Sequence, residues 1–184
     1  MFHYLCQIIK QNINQEQGQQ KEHQKGEKQG QQKEQQKGEK QEQIEESRLG
    51  WDEYFMSIAL LASCRSPCSR LHVGSVIVKD NRLISMGYNG FIPGAPHISR
   101  IHNNHEQSII HSEINAITDC AKRGASLDNA KIYVTHYPCI NCFRSIAASN
   151  IKEIVYLHDY NNDHLVGLLA TDAGIKIIQL ASAL

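Results

Sequence analysis

The sequence predicts an α/β domain of three layers, helices on both faces of one mixed five-stranded sheet. The apolar pattern alternates between a helical period and short β-branched runs, in the order α-β-β-α-β-α-β-α-β. The first two β runs are separated by a tight polar turn. Each later run follows a helix, so the later strands should add in parallel through right-handed crossovers.

The chain does not start with that pattern. From about Gln11 to Glu46 it is almost wholly Gln, Lys, Glu and Gly. GQQKEHQKGEKQ (Gly18 to Gln29) is followed at once by GQQKEQQKGEKQ (Gly30 to Gln41), and the copies differ only at His23 against Gln35. Such a segment has almost no apolar area to set against the entropy of ordering. Residues 1–48 are therefore expected to form a disordered low-complexity tail, and residues 49–184 the folded domain. The repeat unit is too short, and too polar, to stack as a solenoid.

Each element of the domain has its own signal. In WDEYFMSIALLA, Trp51, Tyr54, Phe55, Ile58 and Leu61–Ala62 recur at helical spacing, and Asp52 and Glu53 suit the positive end of a helix. VGSVIVKD and RLISMGYNG are β-rich runs around the turn KDN. A loop is expected from Asn89 to about Ser108, with Gly90, Pro93, Gly94 and Pro96. A helix follows over about Ile110 to Lys122, closed by Gly124. AKIYVTH is a strand. Pro138 suits the first turn of the next helix, whose apolar stripe is Ile140, Phe143, Ile146 and Ala147. KEIVYLH is a strand, HLVGLLATDAG a short helix ended by Gly174, and IKIIQL the last strand.

Composition narrows the function classes. The 184 residues carry a net charge of +0, so no broad electrostatic footprint for nucleic acid is expected. No apolar run approaches a bilayer span, and MFHYLCQIIK lacks the basic start and long apolar core of a secretory signal. A cytoplasmic protein with no membrane partner is the default. The six cysteines then read as thiols or metal ligands rather than disulfides.

Two stretches carry the chemistry. IIHSEINAI places His111 and Glu113 inside an apolar helical run, and HYPCINCF places Cys139 and Cys142 at the start of the next long helix. Both helix starts follow a strand-to-loop transition, so both can meet at one edge of the sheet. Thiolates are anions, and a helix N-terminus favours them. One imidazole and two thiolates suit Zn²⁺, and three protein ligands leave the fourth position open to water. Two thiolates donate more charge than histidines and acidify that water less, so a carboxylate base is needed the more. Glu113, two positions after His111, points from the same turn in another direction and is placed to move protons beside the metal.

His111-Ser112-Glu113 with Pro138-Cys139-Ile140-Asn141-Cys142 is the H-x-E…P-C-x-x-C signature of zinc nucleobase deaminases. RSPCSRLHVGSVIVKDNRLISMGYNGFIPGAPH, HSEINAI and IYVTHYPCINC further resemble the deoxycytidylate (dCMP) deaminases of bacteria and phages, over roughly Trp51 to Leu180. The resemblance implies a cytidine-deaminase-like fold and zinc-dependent hydrolysis of dCMP to dUMP and ammonia, supplying dUMP for dTMP synthesis. His111, Cys139 and Cys142 would hold the catalytic zinc and Glu113 would be the proton carrier. Ser112 stands where the family usually has alanine and, being small, is expected to change little. Asn89 of GYNG should hydrogen-bond the nucleotide, and Tyr160 could stack on its base. Arg65, Arg70 and Lys122 are candidate cations for the phosphate, against the plainer reading of each as a solvated surface charge.

A second zinc is implied in part. Cys68 matches a cysteine that many relatives use for it, and His97, His102 and His105 lie in the right loop, but Ile98 and Glu106 stand where bacterial relatives carry cysteines. The family also implies a homo-hexamer with dCTP and dTTP as effectors. The rival readings are a deaminase of the same fold acting on tRNA adenosine, guanine, free cytidine or a pterin-type ring, and a zinc-stabilised binding protein without catalysis. Near-zero charge argues against the tRNA substrate, and an intact Glu113 against the inactive protein.

Overall fold

The structure is a computed structural model that describes residues 48–103 and 105–181, with backbone alone at His105. The chain divides into two units, Met1–Arg48 and Leu49–Leu184. The repeat tail lies outside the described residues.

The elements of the second unit are α1 (Trp51–Ser63), β1 (Gly74–Lys79), β2 (Arg82–Tyr88), the short β3 (Gly90–Phe91), β4 (Ile101–His102), β5 (His105–Glu106) and β6 (Ile109–Ile110), then α2 (Ser112–Arg123), β7 (Lys131–His136), α3 (Ile140–Ala148), β8 (Glu153–His158), α4 (His164–Asp172) and β9 (Lys176–Gln179). The main sheet has five strands in the order β2-β1-β7-β8-β9. β1 is antiparallel to both β2 and β7, while β7, β8 and β9 are parallel. The expected mixed five-stranded sheet is present, with the hairpin at one edge and the crossovers building the other.

Both faces of the sheet are covered, which is why its central strands read as unbroken apolar runs. Val76, Val78, Tyr133, Val155 and Leu157 face α1, packing on Phe55, Met56, Ala59 and Leu60. Ile77, Ile132, Val134 and Ile154 face the other way, onto Ala116 and Cys120 of α2, Phe143 and Ile146 of α3 and Val166 of α4. Alternate residues of one strand thus enter different cores, as a pleated strand requires.

Two expectations shift. The face of α1 expected to be buried included Trp51, Tyr54 and Leu61, yet these are 49%, 46% and 58% exposed. A helical period fits neighbouring stripes about equally well, and close packing selects one. A Cβ at Gly74 of β1 would stand 2.0 Å from the Ala59 carbonyl oxygen, so the helix rides on the strand at its smallest residues. The segment from Asn89 to Ser108, expected as loop, contains short pairings. β3 joins β6 (Gly90↔Ile110, Phe91↔Ile109), and β4 joins β5 (Ile101↔Glu106). Ile110 is therefore a strand residue, and α2 starts at Ser112.

At its base the sheet is tied to α1 by charge. Lys131 Nζ lies 2.5 Å from Glu153 and 3.2 Å from Asp52, and the Tyr133 hydroxyl donates to Asp52 over 2.6 Å. All the described cysteines are unpaired. Among the described residues, no helix is long and apolar enough to cross a membrane.

Candidate active site

His111 and Cys139 hold equivalent places, each the N-cap residue of its helix with extended backbone (φ −67°, ψ 153° and φ −70°, ψ 163°). Sequence reading puts both inside the first helical turn; the structure puts them one step before it. Pro138 accordingly precedes the N-cap of α3, and Cys142 alone of the ligands sits in a first turn. Neither N-cap side chain caps its own helix, so both are free to turn toward each other. The uncapped N–H groups of two helices add positive potential where anionic ligands collect.

His111 Nδ1 lies 3.3 Å from Cys142 Sγ and 3.6 Å from Cys139 Sγ. All three donor atoms fall within 4.8 Å of one another. Tetrahedral zinc, with bonds of about 2.1 Å to nitrogen and 2.3 Å to sulfur, sets such atoms about 3.6 Å apart. The donor set therefore fits a zinc ion in kind and in spacing. Among the described residues, no other group of three such donors comes together.

Protonation agrees with a site built for a cation. The hydrogen bond from Cys142, helped by His111, draws the Cys139 thiol down to about 4. The same bond, with burial, pushes the Cys142 thiol well above its ordinary value. The hydrogen bond to Cys139 raises the His111 imidazole. The two sulfurs are thus pushed in opposite directions, and a divalent cation held here would take the place of the proton between them.

Glu113 is 4% exposed, and that burial raises its carboxyl above the usual carboxylate range. Its side chain is within hydrogen-bonding reach of Cys142. Ser112, read from sequence only as a small residue, is fully buried and its hydroxyl donates to Glu113 Oε2 over 3.0 Å. Helix α2 is held here by contact with the sheet. A Cβ at Gly87 of β2 would stand 2.2 Å from the Ser112 carbonyl oxygen, and Asn115 Nδ2 donates to the Tyr88 carbonyl oxygen over 2.6 Å.

His111, Glu113 and Cys139 line a cavity of about 560 Å³. This is the size of a small-molecule site. Of the three cations suggested by sequence, only Arg70 is in its wall; Arg65 and Lys122 are exposed elsewhere. Tyr160 is in the wall and meets His136 edge-on at 6.0 Å. Asn89 is also in the wall but 6% exposed, and both ends of its amide are engaged. Oδ1 accepts from the Val73 N–H and Nδ2 donates to the Leu71 carbonyl oxygen, each over 2.8 Å. It clamps residues 71–73, leaving one lone pair and one N–H for anything else.

Among the described residues, Cys68, His97 and His102 form no group of three metal donors. Cys68 lines the cavity, His97 stacks on Phe91 at 4.9 Å, and His102 is exposed on β4. The side chain of His105 lies outside the described residues.

His136 was not anticipated. It ends β7, lines the cavity, and its Nδ1 lies 2.9 Å from Thr135 Oγ1. Burial, helped by His158 at 5.2 Å, lowers its pKa and keeps the ring neutral. The available signal was a polar residue at the carboxyl end of an apolar parallel strand, where ligands of α/β sheets bind.

Residues 49–158 match the family described as the cytidine and deoxycytidylate deaminase zinc-binding region. The chain is 42% identical over 137 residues to ComE operon protein 2 of Bacillus subtilis, covering 72% of each chain. It is 39% identical over 125 residues to the deoxycytidylate deaminase of Mycobacterium phage D29, covering 60% of this chain and 96% of that one. Among solved structures, the dCMP deaminase of cyanophage S-TIM5 in complex with dCMP and dUMP matches with a TM-score of 0.64 at 27% identity, covering 70% of this chain and 95% of that chain.

Proposed function

The chain belongs to the cytidine and deoxycytidylate deaminase zinc-binding family, and we propose that it is a zinc-dependent deaminase that hydrolyses dCMP to dUMP and ammonia. The observation that carries this reading is one arrangement. His111, Cys139 and Cys142 converge at spacings that fit zinc, and a buried Glu113 stands beside them at the wall of a nucleotide-sized cavity. The relatives named for dCMP deamination, from phage and yeast, support the choice of substrate.

His111, Cys139 and Cys142 would hold the zinc, which would supply Lewis acidity to activate water. The protein's part is proton transfer. Glu113 takes a proton from the attacking water and gives it to N3 of the cytosine as the new C–O bond forms at C4. It then carries the remaining hydroxyl proton to the amino nitrogen, the C4–N bond breaks, and ammonia leaves. A carboxyl raised by burial suits both directions, because a proton carrier works best with its pKa near the operating pH. The hydrogen bond from Ser112 keeps Oε2 oriented between transfers. Tyr160 and Phe91 offer ring faces to the base, and Arg70 is the cation in the wall for the phosphate.

The finer parts of the proposal are a homo-hexamer, activation by dCTP, inhibition by dTTP, a cytoplasmic location, and a second zinc at Cys68, His97, His102 and His105. Exposed Trp51, Tyr54 and Leu61 on α1, with Leu165 and Leu168 on α4, support self-association.

Ammonia release from dCMP, deoxycytidine, cytidine and guanine, measured in parallel with and without dCTP, tests the reading. dCMP should be preferred, and Glu113→Gln should keep its zinc while losing about 10²–10⁴-fold in turnover. Preference for another base or nucleoside transfers the reading to another deaminase of this fold. A zinc-loaded protein inert on all four substrates is the binding protein instead. Zinc analysis counts the ions, and light scattering the subunits.

A further inference from the structure

Part of the cavity wall comes from Ser99, Ile101 and Glu106, within the stretch expected as loop. Its regular structure is slight. β4 and β5 pair only at Ile101↔Glu106 and His102↔His105, and a hairpin of that size does not hold itself in water. Apolar burial does not hold it either, since Ile101 is 72% exposed and Ile98 55%. Among the described residues, the Glu106 carboxylate bonds to both sides of the stretch. Glu106 accepts from the Ser99 hydroxyl, from the Arg100 N–H over 3.1 Å and from the Ser108 N–H over 2.7 Å. The Gln107 N–H closes the same segment onto the Arg100 carbonyl oxygen over 2.9 Å.

The geometry points to Glu106 as a positioning residue, whose carboxylate ties residues 99–100 to residue 108 and so holds one wall of the nucleotide cavity in place. It acts through the wall. The reacting atoms and the zinc ligands are served by His111, Glu113, Cys139 and Cys142, and Glu106 is not in that cluster. The kinetic side of this proposal rests on the dCMP reading above; the structural side does not.

The test uses the full-length, zinc-loaded protein with Glu106→Ala and Glu106→Gln. If removal of the carboxylate leaves the wall formed about a tenth of the time, apparent affinity falls about tenfold. Glu106→Ala should therefore raise the KM for dCMP about tenfold, change kcat by less than about twofold on the same argument, and leave the zinc content unaltered. Glu106→Gln should restore the wild-type KM. Its carbonyl oxygen can still accept both backbone N–H groups, and its NH₂ can donate to the Ser99 hydroxyl. Hydrogen exchange at the Arg100 and Ser108 amides supplies a readout independent of activity: slow in wild type and the Gln variant, fast in the Ala variant.

Equal exchange at these amides in wild type and Glu106→Ala would overturn the proposal. So would a loss of zinc, a fall in kcat at constant KM, or a Gln variant that behaves like Ala, because each assigns the carboxylate's charge another task. A wild-type protein that does not turn over dCMP refutes the substrate reading, and the exchange measurement then judges the wall on its own.

Discussion

Gly87→Ala should disable the site without altering any group in the cavity. The new Cβ would stand 2.2 Å from the Ser112 carbonyl oxygen and 2.7 Å from the Ala116 nitrogen, both backbone atoms of α2. Real contacts of this kind are not found under 3.0 Å, so strand and helix must separate by at least about 0.8 Å. Ser112 lies between His111 and Glu113, and the displacement therefore reaches a ligand and the proton carrier together. Overpacking of this kind costs about 1–3 kcal/mol, roughly 4–12 °C in Tm for a domain of this size. A misplacement of about 1 Å in catalytic groups costs on the order of 10²-fold in rate. Steady-state dCMP deamination, zinc content and thermal melting, run on the same preparations, give the result. Gly167→Ala on the exposed face of α4, with nothing within 4 Å of its Cβ, is the control. It should gain up to about 1 kcal/mol of helix propensity and keep full activity. Wild-type kcat in a destabilised Gly87→Ala protein would refute the reasoning. β2 is an edge strand, and that outcome would mean it yields while α2 stays in place.

Three further outcomes are expected. Burial raises the folded pKa of Glu113, so in metal-free protein its contribution to stability is full below the unfolded carboxylate range and is lost as pH rises through the folded value. Metal-free Glu113→Gln should accordingly melt higher than metal-free wild type at neutral pH, with the gap closing toward pH 4 in thermal melts; equal melting at pH 7 would contradict the buried carboxylate. Arg70→Ala should raise the KM for dCMP by about 10–150-fold, the loss of a charge-assisted hydrogen bond, and leave deoxycytidine unchanged. An equal loss on both substrates would take Arg70 away from the phosphate. Tyr133→Phe removes the hydroxyl that donates to Asp52 and should cost about 1.5–3 kcal/mol in denaturant unfolding with no change in KM.

The chemistry was legible in the sequence because ligand spacing within one turn is a local property. Cys139 and Cys142 stand at i, i+3, and His111 precedes Glu113 by two, in any structure that makes these helices. The alternation of helices and strands was local too, and with it the sheet. What the sequence left open were choices between distant partners. The face of α1 expected to be buried joined Phe55 and Ala62 to Trp51, Tyr54 and Leu61, and the fold buried Phe55 and Ala62 with Met56, Ala59 and Leu60 instead. Asn89 was expected to hydrogen-bond a nucleotide; it lines the cavity, and what the sequence did not show is that its amide also clamps residues 71 and 73. His111 meets the cysteines across 28 and 31 residues of sequence, and Lys131 meets Asp52 across 79. Residue type and spacing are carried by the chain itself, whereas proximity between remote segments is set only when burial of apolar surface and close packing choose one arrangement among those the local pattern allows.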